Sequence, residues 1–275
     1  MKKFEEQFKH IYSQDLSEKK TWYSFVAEAY NKTRPRYPKQ LIDRAVELAK
    51  LTPNAKILEL GCGPGIATVE FAKLGFSMVS LEPSPEACEL ARENCAQYPN
   101  VEIQNTTFEE WELGTNKFDA VIAATSFHWI SPEIRCSKSA QALKDNGVLI
   151  LLSNKEPQPN YEIYQLLDEV YQKQAPSITW HENPETQEKT IREFGERTID
   201  SSYFQSLFYE YLSCEVNYSI DDYLAMLSTL SPFIALESQQ RSSLFAALKE
   251  ILEQNCERGI QSSYISAFHI ARKTI

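Results

Sequence analysis

Several large classes of protein announce themselves by features that this 275-residue sequence lacks. Its six cysteines (Cys62, Cys88, Cys95, Cys136, Cys214 and Cys256) include no CxxC pair and no histidine partner at metal-ligand spacing. That argues against a zinc ribbon or a dithiol redox motif, so no metal site is expected, only isolated buried thiols in a reducing compartment. No apolar run approaches the ~20 residues that span a bilayer. The opening MKKFEEQFKHIYSQD has no apolar centre of the kind a secretory signal carries. Basic residues are outnumbered, 28 Lys and Arg against 38 Asp and Glu, for a net charge of −10, which argues against a broad nucleic-acid face. Solenoid-period repeats and low-complexity tracts are also missing. The expectation is a soluble cytoplasmic protein with neither nucleic acid nor membrane as partner.

What is present suits a packed domain. Hydrophobic residues make up 43% and aromatic ones 12%, enough for a sizeable core. The length fits one α/β domain with additions. Apolar or β-branched runs bounded by turn residues predict strands at Lys56–Leu60, Ser77–Leu81, Val101–Asn105, Phe118–Ala123 and Val148–Ser153. Helical patterns fall between them, over Pro38–Leu51, Pro64–Leu74, Pro85–Gln97 and Pro132–Leu143, the last behind Ser131 as N-cap. Such alternation predicts parallel pairing in a doubly wound sheet. Residues 155–205 are polar and proline-bearing, with one amphipathic helix at Tyr161–Gln174, and read as an insertion. Late strands at Phe208–Tyr218 and Ser263–Arg272, with helices Ile220–Ser228 and Gln239–Gln254 between them, extend the sheet.

The chemistry centres on ELGCGPG, Glu59–Gly65, directly after the first strand. A dinucleotide fingerprint, G-x-G-x-x-G, is matched by Gly61 and Gly63 but has Ile66 at the third position. The spacing and lysine of a P-loop are missing. Glu59 puts an anion where a phosphate would have to approach, which favours a ligand with an ammonium group. Glu82 ends the second strand, where a carboxylate can accept two ribose hydroxyls. A ribose, a cationic end and no phosphate together describe S-adenosylmethionine.

With these residues the sequence resembles the class I S-adenosylmethionine-dependent methyltransferases, of the type 11-like kind. ELGCGPG, Glu82, KFDAVIAATSFHWI and the turn Leu143–Val148 carry the resemblance over about residues 40–153. That last turn has Asp145-Asn146 where the family has Pro-Gly, and Asn146 tolerates positive φ. YNKTRPRYP, TTFEEW, SFHWI and DDYLAMLSTLS resemble, more narrowly, the branch of trans-aconitate and juvenile hormone acid methyltransferases.

The resemblance implies an α/β, doubly wound, Rossmann-like fold: a seven-stranded, mostly parallel sheet with the last strand antiparallel. It divides the chain into an N-terminal helical lid (1–37), a cofactor-binding core (38–155), an insertion and substrate cap (156–206) and a C-terminal completion of the sheet (207–275). The cofactor-binding set it implies is Glu59, Gly61, Cys62, Gly63, Gly65, Glu82 and Pro83, then Thr106, Thr107 and Phe108 at the adenine, then Ala124 and Thr125 at the methionyl part.

Asp119 opens a strand, far from the carboxyl ends where ligands bind, and reads as structural. His128, Trp129 and Tyr37 are expected at the acceptor, His128 as a base or a hydrogen-bonding group. Arg34 is the candidate carboxylate clamp, and Tyr30, with Tyr23 and Trp22, offers π faces to a sulfonium. Aromatics of the insertion (Tyr161, Tyr164, Tyr171, Trp180, Phe194, Tyr203, Phe204) line the acceptor pocket or form the insertion's own core. The expected reaction is methyl transfer to a small molecule, at a carboxylate or hydroxyl oxygen, by a monomer or homodimer. A protein or RNA acceptor, or cofactor binding without turnover, are the alternatives.

Overall fold

The computed structural model describes residues 20–21, 23–113, 118–178 and 181–274. Trp22 and Trp180 lie outside them, as do the first 19 residues of the expected lid. The predicted strands form as β1 (Lys56–Leu60), β2 (Ser77–Glu82), β3 (Val101–Asn105), β4 (Phe118–Ala124) and β5 (Leu143–Asn154). They pair in parallel in the order β3-β2-β1-β4-β5. Two long late strands complete the sheet, β7 (Phe204–Tyr218) and β8 (Ile260–Lys273), with β8 antiparallel between β5 and β7. A two-residue strand, β6 (Gln158–Pro159), continues the β5 side of β8, so the described sheet has eight strands around the expected seven.

Alternation along the strands explains why both faces are covered. Ile57, Met78, Ala120, Ile122, Val148, Ile150 and Leu152 point to one face. They pack there against α2 (Lys39–Ala49) and α3 (Ile66–Ala72), which follow α1 (Ala27–Thr33) in the chain. Leu58, Leu60, Leu81, Val121, Ala123, Leu149 and Leu151 point to the other, where α5 (Pro132–Ala142), the helix after α4 (Pro85–Cys95), packs. Period 2 with both sides apolar is what a buried parallel sheet requires.

Local chemistry sets the ends of these elements. Ser84 caps α4 by accepting from the Ala87 N–H, with Pro85 at the first helical position. Ser131 holds the cap position of α5, but its hydroxyl donates to Glu133 rather than capping the helix. The Leu143–Val148 turn is absorbed into β5: pairing passes from Phe118↔Leu143 to Ala120↔Val148, and Asn146 takes φ +63° in between. Asp119 sits at the opposite edge from the site and accepts from the Lys56 N–H (2.8 Å) and the Lys144 ammonium (2.8 Å), a structural role.

The insertion contains two helices where the sequence predicts one. α6 (Tyr161–Gln174) shares a third core with α8 (Ile220–Ser228), α9 (Ser231–Ile234) and α10 (Ser238–Asn255), through Leu167, Tyr171, Met226, Phe233 and Leu248. α7 (Pro184–Thr198), between α6 and α8 in the chain, escapes an apolar-periodicity reading because its buried face holds Ile191 among Gln187, Gly195 and Thr198. Its cap was nonetheless legible: Asn183 accepts from the Thr186 N–H, and Pro184 follows it.

α7 lies so close to β8 that a Cβ on Gly195 would come within 2.3 Å of the His269 ring. His269 is 1% exposed and leans on Tyr209 at 4.7 Å, so it has little room to yield. Gly195→Ala should therefore destabilise the protein by about 1–3 kcal/mol, read as a lower urea midpoint at unchanged slope. An unchanged midpoint would show that α7 can lift away freely.

Candidate active site

The sheet order reverses between β1 and β4, so their carboxyl ends open the crevice in which doubly wound folds hold ligands. The glycine turn follows β1, and Thr125–Trp129 follows β4. All three turn glycines have positive φ (+66°, +55° and +83° for Gly61, Gly63 and Gly65), but a side chain would meet different surroundings at each. A Cβ on Gly61 would lie 2.9 Å from the Ser126 Cβ, so the chain itself makes the close approach there. A Cβ on Gly65 would meet Ala91 and Cys95 of α4 at 3.5 Å, ordinary contact. A Cβ on Gly63 would meet nothing within 4 Å among the described residues, so this face of the turn is open there.

Glu82 ties the end of β2 to that turn. It is 8% exposed, and its two oxygens accept from the Gly63 N–H (2.8 Å) and the Ser84 N–H (2.9 Å). Each oxygen keeps a lone pair for a ribose hydroxyl. Burial pushes its pKa up to about 7, against the pull of those two N–H groups. Glu59 is fully buried, and its Oε2 accepts from the Thr68 hydroxyl (2.6 Å) and the Ser80 hydroxyl (2.9 Å). Its Oε1 has no partner among the described residues, and burial raises its pKa to about 7 as well. That orphaned buried acceptor lies in β1, four residues before Gly63, and an aminoacyl-nucleoside is a group that would supply its missing partner. Cys62 is buried with its thiol toward the Gly63 carbonyl, and burial holds its pKa well above the ordinary value, so it packs rather than reacts.

At the adenine end the expected residues divide. The Thr106 N–H is taken by the Glu82 carbonyl (3.1 Å), and the Pro83 and Glu82 carbonyls accept from the Asn105 amide. Thr107 is a cap: its hydroxyl accepts from the Glu110 N–H (3.1 Å) and bonds the Glu110 carboxylate (3.0 Å), a T-x-x-E box visible in the sequence. The Phe108 ring is 4% exposed and stacks on Trp111, with Lys138 over its face, so it belongs to the core and is not an adenine platform. What Thr107 and Phe108 can offer are their backbone N–H groups, which no described residue engages.

Over the crevice lies the 23–37 segment. Tyr23 bonds the Ser231 hydroxyl (3.0 Å) and meets Trp129 edge-on at 5.4 Å and Tyr30 at 5.9 Å. Ser24 bonds Ser84, two residues after Glu82, at 3.0 Å. Arg34 stacks over Tyr30 at 4.8 Å and donates from Nε and Nη2 to the Thr229 hydroxyl (2.8 Å) and carbonyl (3.0 Å). Those two donors are thus spent on α8, a partner 195 residues away that no sequence pattern signals. Tyr37 is buried and bonds the Thr125 hydroxyl at 2.8 Å.

Ala124, at the end of β4, is half-buried beneath this roof. His128 lies between Trp129 (5.5 Å) and Phe194 of α7, whose ring meets it edge-on at 6.0 Å. Burial, then the Arg135 charge, push its pKa down to about 4, so it is neutral at physiological pH and a weak base. Of the other insertion aromatics, Tyr171 and Phe204 are core, whereas Tyr161 and Tyr203 are exposed.

Comparison with known proteins agrees with this geometry. Residues 57–147 match the family profile of a methyltransferase domain. An uncharacterized methyltransferase of Mycobacterium tuberculosis is 32% identical over 126 residues, 46% of this chain and 49% of that one. The chain thus spans about half the length of the curated relatives it matches first. Among solved structures, a candidate type II methyltransferase of Anaeromyxobacter dehalogenans shares the fold at TM-score 0.59 and 20% identity, over 87% of this chain and 97% of its own. A phosphoethanolamine N-methyltransferase of Haemonchus contortus, solved with phosphomonomethylethanolamine and S-adenosylhomocysteine, matches at TM-score 0.50 and 16% identity, over 95% and 60%. The glycine turn, Glu82 and β4 all lie inside that matched segment, so residues 57–147 carry a methyltransferase domain.

Proposed function

We propose that the protein transfers a methyl group from S-adenosylmethionine to a small-molecule acceptor, at a carboxylate or hydroxyl oxygen, by direct displacement. The observation that carries this reading is the roof over the crevice: Tyr23, Tyr30 and Arg34 close against Trp129, Ser231 and Thr229. A roof of this kind suits an acceptor small enough to be enclosed and stripped of water. When bound, the cofactor supplies an electrophilic methyl group on a sulfonium. Glu82 would take its ribose, Glu59 and the Gly63 face its amino-acid end, and the Thr107 and Phe108 N–H groups its adenine. His128 at a pKa of about 4 suits an acceptor that arrives already ionised, which needs orientation and desolvation more than a base.

Two measurements test the reading. Protein incubated with methyl-labelled cofactor and the ultrafiltrate of a cell extract should place label in the small-molecule fraction, where mild base releases it as methanol if it is an ester. Label only in precipitable material, or in a small molecule that carries the new methyl group on nitrogen or carbon, contradicts it. Replacing His128 by Gln should raise the acceptor KM by roughly 3- to 10-fold, the loss of one hydrogen bond, and leave the pH profile of kcat in place. A collapsed kcat that recovers at high pH would instead make His128 a base.

A further inference from the structure

Thr125 is a β-branched residue held at φ +57°, a region that such residues avoid. It sits between the end of β4 and the acceptor-side loop, and three contacts keep it there. Its N–H donates to the Leu152 carbonyl (2.8 Å). Its hydroxyl accepts a long hydrogen bond from the Asn154 N–H (3.4 Å) and meets the Tyr37 hydroxyl at 2.8 Å. The left-handed step has a consequence one residue on: the Ser126 hydroxyl donates to the Leu60 carbonyl, and its Cβ occupies the space beside Gly61. Tyr37, Thr125, Ser126 and Gly61 therefore form one continuous line from the 33–37 strap to the glycine turn.

The strap itself is fastened to the sheet along its length. The Thr33, Pro35 and Arg36 carbonyls accept from Tyr218 (2.9 Å), Asn154 (3.0 Å) and Tyr264 (3.3 Å). We infer that Tyr37 is a positioning residue: by bonding the Thr125 hydroxyl it holds a strained backbone step in place, and that step presses Ser126 against Gly61 to shape the methionyl end of the donor site. Strain of this kind persists only where the surroundings over-determine it. Here the surroundings include a side chain from outside the strands that build the site. The inference rests on the donor-site reading above.

Strain and a simple hydrogen bond predict different rescue patterns. Tyr37→Phe should weaken S-adenosylhomocysteine binding by roughly 5- to 10-fold in calorimetry, as neighbouring coupled residues do. Adding Thr125→Gly, which removes the strain, should recover most of that loss, whereas adding Thr125→Val, which keeps the branch and lacks the hydroxyl, should not. No loss in Tyr37→Phe, or a loss that glycine fails to recover, overturns the inference. If the wild-type protein binds no S-adenosylhomocysteine, the donor reading fails, and melting temperatures then decide the positioning role. Thr125→Gly should shift Tm upward by about 2–4 °C more in the Tyr37→Phe background than in the wild type. Equal shifts in the two backgrounds overturn it.

Discussion

Replacing Glu82 by alanine is expected to weaken S-adenosylhomocysteine binding by roughly tenfold or more, the largest effect on the donor among single substitutions that leave the fold intact. Hydrogen bonds to a carboxylate contribute about 1.5–3 kcal/mol each, and two ribose hydroxyls would be lost together. The variant also frees the Gly63 N–H, which Glu82 fixes at 2.8 Å, so the turn loses its tether as well as the ligand its partner. Glu82→Gln keeps the volume and one acceptor oxygen, but its amide cannot accept from both Gly63 and Ser84, so it should fall between wild type and alanine. Equal affinity in all three proteins would place the ribose elsewhere.

The same carboxylate gives the protein a pH signature. Burial raises Glu82 and Glu59 from an ordinary value of 4.5 to about 7. A group with its folded pKa raised contributes stability that is present at low pH and lost as pH rises through about 7. His128 and His269, pushed down to about 4 by burial, act in the opposite sense, adding stability as pH rises from about 4 through their ordinary 6.5, and only part of that gain extends above pH 6.5. Between pH 6.5 and 8 the ligand-free protein should therefore lose stability, and Glu82→Gln should flatten that slope. Hydroxyls donating to Glu82 favour the ionised form, so affinity for S-adenosylhomocysteine should rise over the same window with release of protons. Calorimetry in buffers of different ionisation enthalpy reads this directly, and proton uptake would contradict it.

The second large effect separates two glycines that look equivalent in the sequence. Gly61→Ala meets both a left-handed φ of +66° and the Ser126 Cβ at 2.9 Å, and Ser126 is itself fixed by the Leu60 carbonyl. The combined cost should be about 2–4 kcal/mol of stability, from the left-handed backbone and the forced repacking. Gly63→Ala has φ +55° but open space around it, so it should cost about 1 kcal/mol and fold. Its new methyl group points where the ligand belongs, and donor binding is what it should lose. Equilibrium unfolding paired with calorimetry on the two variants checks the separation. Two variants with the same profile would mean the turn acts as a single unit.

That contrast marks how far the sequence could be read. Glu59, the three glycines and Glu82 were legible because a short apolar strand, a turn and a second strand-end carboxylate form a local pattern. The reasons behind the glycines were not, since Gly61 answers to Ser126, a contact made only when distant segments meet, and Gly65 to its left-handed φ of +83°. The five parallel strands were legible from their two-sided apolar alternation. α7 was not, because its buried face is mostly polar or small and packs through Gly195 against His269. Phe108 is placed at the adenine by resemblance, whereas its ring packs into the core against Trp111. Arg34 and Tyr37 were placed at the site by resemblance, but their partners Thr229 and Thr125 come from different elements, and the left-handed Thr125 carries no sequence signal.

The central claim is that the turn from Glu59 to Gly65, with Glu82, holds an aminoacyl-nucleoside and not a phosphate-bearing cofactor. Titration of the full chain with S-adenosylhomocysteine, alongside NAD and ATP, tests it most directly. The account predicts one S-adenosylhomocysteine per chain at micromolar affinity, with no competition from either phosphate-bearing ligand. No heat with S-adenosylhomocysteine, or its displacement by NAD or ATP, would contradict it.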